Sequence, residues 1–279
     1  MPELPEIRVH AERLEAAYAG RVLTRTQAIS FSALKTFSPT PDAALGEALD
    51  SVGTRGKFFL LRFPSAVFVV HLMQGGRLTP DSKLSTKPRG GLFRWHFDQG
   101  PALLLTEPGT ERKAGVWVIA PGDETVAPLD QQGPEADQVT PAMLDAILTE
   151  AKGARLHGVL RDQHRIAGIG RRLANEVCWA AQISPFAPAN KLGDDDRVRL
   201  MTALDRVIAA GFEDERTRDH MANSADRASC VHRHTGDACP RCGDTIREVT
   251  YNAYQVNYCP SCQTKGKVLA DNTTSKFLK

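Results

Sequence analysis

Four cysteines near the C-terminus have the spacing of a metal site. Cys239, Cys242, Cys259 and Cys262 form the pattern C-x2-C-x16-C-x2-C. Each C-x-x-C pair fits a tight turn, and two such turns offer four thiolates in a tetrahedron, the geometry of structural zinc. Two disulfides are the alternative. The first residues of the sequence contain no apolar secretory segment, so we expect a reducing compartment, which disfavours disulfides. Because all four ligands are thiolates, the sequence predicts one structural Zn²⁺ with no open position for catalysis.

The overall composition is that of an ordinary folded protein. The chain has 279 residues, 42% hydrophobic and 24% charged, with 35 Lys and Arg against 33 Asp and Glu. These values argue against a chain dominated by disorder, and the length predicts one large or two ordinary domains. No apolar run approaches the roughly 20 residues that span a bilayer, so we expect no membrane association and a cytoplasmic protein.

The N-terminal half is predicted to be one helix followed by strands. Over 5–19 the apolar side chains recur on one helical face, and Gly20 ends the helix. Over 21–119 short apolar runs alternate with turn residues, which predicts a β-sandwich or a barrel. Two pairs of runs have the form of hairpins, 58–63 with 67–72 and 92–97 with 102–105.

The apolar period becomes helical after a linker over 120–139 that is rich in Pro, Gly, Asp and Gln. Thr140 is an expected N-cap, and Pro141 takes the first helical position. The predicted apolar face of this helix comprises Met143, Leu144, Ile147 and Leu148. Further helices are predicted over 156–166, 171–181 and 195–210, with Gly211 as the last C-cap and a loop over 213–229.

Three further segments carry functional signals. The segment 246–258 alternates enough to form a β-hairpin between the two cysteine pairs. The segment 152–172 holds six Lys and Arg against the single acid Asp162, and is either a solvated face or a phosphate-binding surface. The tail over 265–279 holds four lysines and one acid, and is either disordered or an extra contact to a phosphate backbone.

The order of the motifs along the chain resembles bacterial formamidopyrimidine-DNA glycosylase and endonuclease VIII. The landmarks are the Pro-Glu-Leu-Pro-Glu start at 2–6, Gly56-Lys57 in an early hairpin, Asp162-Gln163 before the turn 167–170, and the terminal zinc ribbon. The resemblance covers about residues 2–263. It implies an α+β multidomain fold: an N-terminal β-sandwich with a flanking helix, a helical helix–two-turn–helix domain and a C-terminal zinc-ribbon β-hairpin.

The same resemblance suggests a domain division. It places the catalytic β-sandwich domain at 1–122, the linker at 123–139 and the helix–two-turn–helix DNA-binding domain at 140–230. The zinc finger follows at 231–264, and the basic tail at 265–279.

The resemblance also implies a catalytic set at the chain start. Removal of Met1 would free the secondary amine of Pro2, and a terminal amine has a reference pKa of about 7.7–8.0 against about 10.4 for lysine. Such an amine attacks a sugar carbon and forms an iminium, which divides one difficult step into two. Glu3 would be the general acid as the base departs, Glu6 would support the site, and Lys57 would reach the lesion phosphate.

The expected DNA contacts come from three other regions. Gly168 and Gly170 form a turn through which the backbone approaches DNA closely. The family's inserted side chains and orphan-base arginine map to His71, Gln74 and Arg112. Arg171 and Tyr254 occupy positions of the turn and the finger that contact phosphate in the family, and Gln255 lies beside Tyr254 as a further expected DNA contact.

Four positions depart from the family pattern. Arg171 replaces an asparagine that binds phosphate, and Tyr254 replaces a finger arginine. Gln74 replaces a methionine of the guanine-directed branch, and Ala114 replaces a phenylalanine wedge. Flipping a base out of the duplex costs a few kcal/mol in lost stacking, which an inserted side chain can offset. The small side chain of Ala114 offers little for this purpose, so we expect Met73 or Gln74 to be inserted instead, or the substrate to be a lesion that already distorts the duplex. Of these features, Gln74 favours the endonuclease VIII branch, and so does the short segment 213–230.

We therefore expect a bifunctional DNA glycosylase and AP lyase that acts on duplex DNA with a damaged base or abasic site. Oxidised pyrimidines, alkylated or bulky bases are favoured over oxidised guanine, and the protein is expected to be a bacterial, nucleoid-associated monomer. The first alternative is a non-catalytic DNA-binding protein on the same scaffold. The second is a zinc-ribbon interaction protein without affinity for DNA.

Overall fold

The computed structural model describes residues 1–110, 112–223, 226–251 and 254–269, without the side chains of Tyr251 and Tyr254. The chain forms two compact units. We call Met1–Gln131 with Asp219–Ser224 the sandwich unit, and Gln132–Arg218 with Ala225–Lys279 the helical unit. The segment from Asp219 joins the sandwich unit because Met221 packs in its core, a long-range contact that chain order does not reveal.

The first helix, α1 (Leu4–Tyr18), confirms the prediction over 5–19. It begins with a reciprocal capping box, in which the side chains of Glu3 and Glu6 each accept the other's backbone N–H. The predicted apolar face is buried, and the helix ends at Tyr18 with Ala19 as its C-cap, one residue earlier than expected. The buried members of that face are Ile7, Ala11, Leu14 and Tyr18.

Two four-stranded antiparallel sheets follow α1. The first sheet has the order β1-β6-β7-β5, and the second has the order β2-β3-β4-β8. Both predicted hairpins are confirmed, as β3 with β4 and β6 with β7. The strands are β1 (Leu23–Ala28), β2 (Ser51–Arg55), β3 (Phe58–Arg62), β4 (Val67–His71), β5 (Arg77–Asp81), β6 (Gly91–Phe97), β7 (Ala102–Thr106) and β8 (Gly115–Ile119).

The core of the sandwich unit lies between these two sheets. Phe68 of β4 meets Trp95 of β6 edge to face, with ring centroids 5.8 Å apart. Both side chains are fully buried, and one cluster joins residues of all eight strands, with α1 closing one side. The core residues alternate along β3, β4, β7 and β8, which is the pattern of a sandwich rather than of an open sheet. The predicted fold class is confirmed in this unit.

The helical unit begins with α2 (Pro141–Thr149), as predicted, and Thr140 Oγ1 accepts the N–H of Met143 at 3.3 Å. Met143 itself was expected in the apolar face, but 45% of it is exposed. The position lies in the first turn, and only Leu144 and Leu148 of this helix are buried.

Two helix ends differ from the prediction. The next helix, α3 (Leu156–Arg161), stops before 166 because the Asp162 carboxylate accepts the N–H of His164 at 3.1 Å. The long helix α5 (Asp194–Arg216) continues past Gly211, so the expected C-cap and the start of the loop at 213 were wrong. Glu215 is buried there, and tertiary burial outweighs the roughly 1 kcal/mol that glycine costs in a helix.

The remaining elements belong to the finger. The hairpin of β9 (Arg247–Tyr251) and β10 (Tyr254–Tyr258) confirms the prediction over 246–258, and α6 (Pro260–Thr264) follows the third cysteine. The helix α4 (Arg171–Ala180) confirms the prediction over 171–181. Among the described helices, none combines the length and apolar character needed to cross a membrane.

Replacing Phe68 with alanine should lower the free energy of unfolding of the sandwich unit by about 3–5 kcal/mol, because a buried ring is lost and a cavity remains. Urea denaturation followed by tryptophan fluorescence measures this, since Trp95 contacts the ring. The matched control is Phe31→Ala, because Phe31 is 94% exposed and its loss should change stability by less than about 0.5 kcal/mol. Equal effects of the two substitutions would contradict the burial argument.

Candidate functional site

The four predicted ligand cysteines lie together in the helical unit. Their Sγ atoms are all within 4.8 Å of one another. Neighbouring pairs lie 3.9 Å apart for Cys239 and Cys262, 3.4 Å for Cys242 and Cys259, and 3.5 Å for Cys242 and Cys262. A tetrahedron with metal–sulfur distances of about 2.3 Å has edges of about 3.8 Å, so the four thiols fit zinc. The cysteines are unbridged, which removes the disulfide alternative.

The start of α1 is buried and closed by its own side chains. Glu3 is 3% and Glu6 2% exposed, and Pro2 is buried with them. The Glu6 carboxylate accepts the N–H of Glu3 at 2.7 Å. Since Glu3 directly follows Pro2, this bond fixes the peptide that carries the predicted nucleophile.

Lys57 and His71 lie at the same end of the paired strands β3 and β4 in the second sheet. Gly56 adopts φ +55° in the two-residue turn between β2 and β3, a conformation that favours glycine, and Lys57 is its second residue. Phe58 then pairs with His71 across the strands, and their rings lie 4.7 Å apart. The pKa of His71 is lowered to about 4, chiefly by burial and in addition by the positive charges of Lys57 and the chain terminus. The predicted lysine and the chain start therefore act on one imidazole.

The loop after β4 presents Gln74 and withdraws Met73. The His71 Nδ1 accepts the N–H of Met73 at 3.1 Å, and Met73 adopts φ +52°. The Met73 side chain packs against the sandwich core, whereas Gln74 is exposed at the loop tip. Of the two substitutes that the sequence offered for insertion into DNA, the structure exposes Gln74.

A second loop, 107–114, ends beside the first. Arg112 is exposed on it, and Ala114 is 1% exposed within the core. Glu107, which sequence reasoning missed, is 4% exposed, and its Oε2 accepts the N–H of Ala114 at 2.7 Å. A Cβ on Gly75 would lie 3.6 Å from the Pro108 carbonyl oxygen, so the two loops are in contact. An acid directly after a buried strand was the available signal for Glu107. Glu111 lies outside the described residues.

The predicted DNA turn is held in the helical unit by Gln163. Its Nε2 donates to the Ile169 carbonyl at 2.7 Å and to the Arg161 carbonyl at 2.8 Å, and its Oε1 accepts the Gly168 N–H at 3.0 Å. Gly168 adopts φ +96°, where other residues are strained. Gly170 then begins α4 without a side-chain cap. The sequence identifies Gln163 only as part of the family pattern, whereas the structure shows that its side-chain amide holds the backbone of the turn.

The basic segment divides into internal and outward cations. Arg172 is 7% exposed and donates to the Ala228 carbonyl, so it does not belong to a solvated basic face. Arg155 donates to the Phe186 carbonyl, and Arg165 pairs with Asp162 at 3.2 Å. Arg171 is half-buried at the first position of α4, immediately after the turn.

Buried polar groups connect α4 with the approach to the finger. The Glu176 carboxylate accepts three successive backbone N–H groups at 2.8–3.0 Å, those of Cys230, Val231 and His232. Asn257 of β10 accepts the Arg233 N–H at 3.1 Å. Sequence reasoning missed both residues, because their partners lie far away along the chain.

The predicted finger contacts lie on β10. Gln255 is exposed on this strand, and Tyr254 is its first residue. The side chain of Tyr254 lies outside the described part of the structure, as do residues 270–279 of the basic tail.

Three family descriptions match the chain in succession. The formamidopyrimidine-DNA glycosylase N-terminal domain matches residues 1–117, and the H2TH domain of the same protein matches residues 132–221. The zinc finger found in FPG and IleRS matches residues 236–265, which contain the cysteine cluster. The cluster is thus a structural site for one zinc ion.

Curated relatives and solved structures agree with these matches. The formamidopyrimidine-DNA glycosylase of Chloroflexus aurantiacus is 30% identical over 283 residues, which covers 94% of this chain and 98% of the relative. An uncharacterized formamidopyrimidine-DNA glycosylase-like protein of Mycobacterium tuberculosis is 39% identical over 153 residues, 53% of this chain and 94% of that protein.

The fold is shared with structures of MutM proteins. MutM (FPG) from Thermus thermophilus is 25% identical with a TM-score of 0.81, covering 94% of this chain and 98% of that one. The Lactococcus lactis enzyme, non-covalently bound to DNA with an AP site, is 19% identical with a TM-score of 0.81, covering 94% and 99%. These similarities do not resolve the endonuclease VIII branch, and the preference for it stays a prediction.

The His71 ring should stay neutral at pH 5.5, because burial holds its pKa at about 4. Lys57→Met should raise that pKa towards its ordinary value, since a positive charge is removed. An NMR titration of the ring nitrogens measures both effects, and Nδ1 should titrate as the acceptor of the Met73 N–H. The control is Lys83→Met, which removes an exposed lysine of the same unit. A pKa unchanged by Lys57→Met would show that the two groups do not interact.

Proposed function

The chain belongs to the formamidopyrimidine-DNA glycosylase family of DNA-repair enzymes, and we propose that it is a bifunctional DNA glycosylase and AP lyase. The single observation that carries the proposal is the buried start of α1. Glu6 holds the peptide after Pro2, and the charges of Lys57 and the terminus act on the same imidazole, that of His71. A protein that only binds DNA has no use for a fixed terminal proline.

Pro2 is the proposed nucleophile. With Met1 removed, its nitrogen lone pair attacks the sugar C1′, the bond from C1′ to the base breaks, and the base leaves with the bonding electrons and takes up the proton that the nitrogen loses. The sugar ring opens as its oxygen takes a proton, and the product is an iminium between Pro2 and the sugar. The iminium withdraws electrons from C1′, so a C2′ proton is lost and the 3′ phosphate leaves by elimination.

Glu3 is the proposed general acid, and it supplies the proton taken by the sugar ring oxygen. Its carboxyl lies next to the nucleophile along the chain and is almost closed to solvent. Glu6 is a positioning residue, because it binds the backbone of Glu3 and has no need to contact the sugar. Lys57, at the tip of its hairpin turn, is proposed to hold the lesion phosphate.

The DNA contacts are proposed on the turn before α4 and on side chains that are exposed or half-buried. The turn at Gly168–Gly170 offers backbone N–H groups at the uncapped start of α4, and Arg171 adds a positive charge there. Gln74 and Arg112 are the proposed probes of the space beside the lesion, and Gln255 contacts phosphate from the finger. The partner is duplex DNA with a damaged base or an abasic site, bound by one copy of the chain.

Oxidised pyrimidines, alkylated or bulky bases are the proposed substrates. The support is that Ala114 lies in the core and that the neighbouring Gln74 is a polar, unbranched probe. Unstacking costs a few kcal/mol, and it costs least for a base that already distorts the duplex. A protein without an aromatic wedge is therefore best suited to such lesions.

A second candidate function is damaged-DNA binding without chemistry. The observation that favours it is the replacement of DNA-contacting side chains by Arg171 and Tyr254, together with the buried Ala114. It leaves the burial of Glu3 and Glu6 beside Pro2 without a purpose, so we rank it below catalysis.

Borohydride should trap the protein on a duplex with an abasic site, through Pro2. Pro2→Gly should lose most of the trapping while DNA binding is retained, because the secondary amine is removed. Glu3→Gln should still be trapped on the abasic duplex, where no base must leave, but excise a damaged base about 10²–10⁴-fold more slowly. Gel electrophoresis of the adduct and peptide mapping measure the first effect, and single-turnover kinetics the second.

A lesion panel with oxidised pyrimidines, alkylated purines and oxidised guanine names the substrate. Full excision activity in Pro2→Gly would overturn the assignment of Pro2 as the nucleophile. If the wild type forms no adduct while DNA is still bound, damaged-DNA binding without chemistry replaces catalysis as the proposed function.

Arg171→Ala should weaken binding to duplex DNA and reduce the slope of log K against log salt by about 0.9, the loss of one phosphate contact. Fluorescence anisotropy over a salt series measures the slope. Arg155→Ala is the matched control, because Arg155 is engaged with the Phe186 carbonyl and should leave the slope unchanged. An unchanged slope for Arg171→Ala would remove this residue from the proposed interface.

A further inference from the structure

We infer that Trp179 is a positioning residue of the zinc centre, whose indole N–H binds the thiolate of Cys239. Trp179 is the ninth residue of α4, and its Nε1 lies 3.4 Å from the Cys239 Sγ. The indole is half-buried and packs with Val231, Ile246 and the buried cysteines in one apolar cluster. The N–H donor is the only polar group of the side chain, and its partner is a metal ligand.

The chemistry of a four-thiolate site calls for such a donor. Zn²⁺ with four thiolates carries a net charge of −2, and Cys239 is 3% exposed, so water cannot solvate that thiolate. An N–H group that binds a ligand atom disperses its charge and fixes its orientation, and hydrogen bonds to charged groups are the stronger ones. Cys242, by contrast, is exposed and has solvent for this purpose.

Arg241 holds the indole from its other side. This residue lies between Cys239 and Cys242, and its guanidinium carbon is 4.1 Å from the centre of the Trp179 ring. It also donates to the Trp179 carbonyl at 2.9 Å and to the Ala180 carbonyl at 3.4 Å, the last turn of α4. The guanidinium thus places a positive charge at the C-terminal end of a helix, where the helix dipole makes it favourable. The same cysteine turn supplies both the thiolate and the cation that fix Trp179.

The consequence is a connection from the metal to the DNA turn through one helix. The helix α4 begins at Arg171, directly after Gly170, and reaches the zinc ligand about 12 Å later through Trp179. Glu176 of the same helix binds the backbone that leads to the finger. The inference concerns the metal centre alone, and it holds whether or not the protein excises a base.

Trp179→Phe tests the inference, because phenylalanine keeps an aromatic ring under Arg241 and lacks the N–H donor. Removal of a group that binds a metal ligand from outside weakens metal affinity by about 10–100-fold. We expect zinc release into excess chelator to accelerate by a comparable factor, measured by the absorbance of 4-(2-pyridylazo)resorcinol on the full-length, zinc-loaded protein. Trp117→Phe is the matched control, because Trp117 lies on β8 in the sandwich unit and packs against Phe58.

A release rate in Trp179→Phe equal to that of the wild type would overturn the inference. A second measurement needs no substitution and remains decisive if the variant fails to fold. In wild-type protein loaded with ¹¹³Cd, the assigned Trp179 indole proton should show scalar coupling to the metal through the N–H···S bond. The indole protons of Trp95 and Trp117 should show none. Absence of the coupling at Trp179 would equally reject the hydrogen bond.

Discussion

The hydrogen bond from the Glu3 N–H to the Glu6 carboxylate, 2.7 Å long and closed to water, fixes the end of the chain on which the proposed chemistry depends. Chain ends are ordinarily mobile, because nothing beyond them offers contacts. Here the end is also the N-cap of a helix whose face is buried in the sandwich core. The ordering of Pro2 is therefore supported by the packing of α1, and the entropy of fixing a nucleophile is lost on folding rather than on binding.

The second sheet of the sandwich unit brings several loops together at one end of its strands. Lys57 precedes β3, His71 ends β4, and His71 pairs with Gly115 at the start of β8. Antiparallel pairing alone thus places the lysine turn, the Gln74 loop and the end of the Arg112 loop together. The two loops cross from one sheet to the other, so the packing of the two sheets fixes both ends of each loop. Glu107 closes the base of the second loop with a buried bond.

Much of this arrangement was predictable from the sequence, and the failures share a physical cause. The cysteine spacing, the apolar period of α1 and the hairpin turns are local signals. The structure confirms the zinc ribbon, the helix and the paired strands that they predicted. The end of α5 was wrong because Gly211 is a local stop signal, while burial around Glu215 is a tertiary effect. Glu107 and Glu176 were missed for the same reason, since their partners become neighbours only in the folded chain. Arg172 is the opposite case: the sequence counts its charge with a basic surface, but the folded chain buries the side chain.

The departures from the family pattern fall where the backbone is held by other residues. Gln163 fixes the turn through Gly168 and Ile169, so the residue after the last glycine can change from asparagine to Arg171 while the turn persists. Gln74 stands on a loop fixed by the bond from the Met73 N–H to His71. Since the buried hydrogen bonds set the backbone geometry and the proposed DNA contacts are exposed or half-buried side chains, exchange of such a side chain should cost little stability. The proposed catalytic end has no such freedom, because Glu3 is both a member of the capping box and the proposed general acid, and Glu6 holds its backbone.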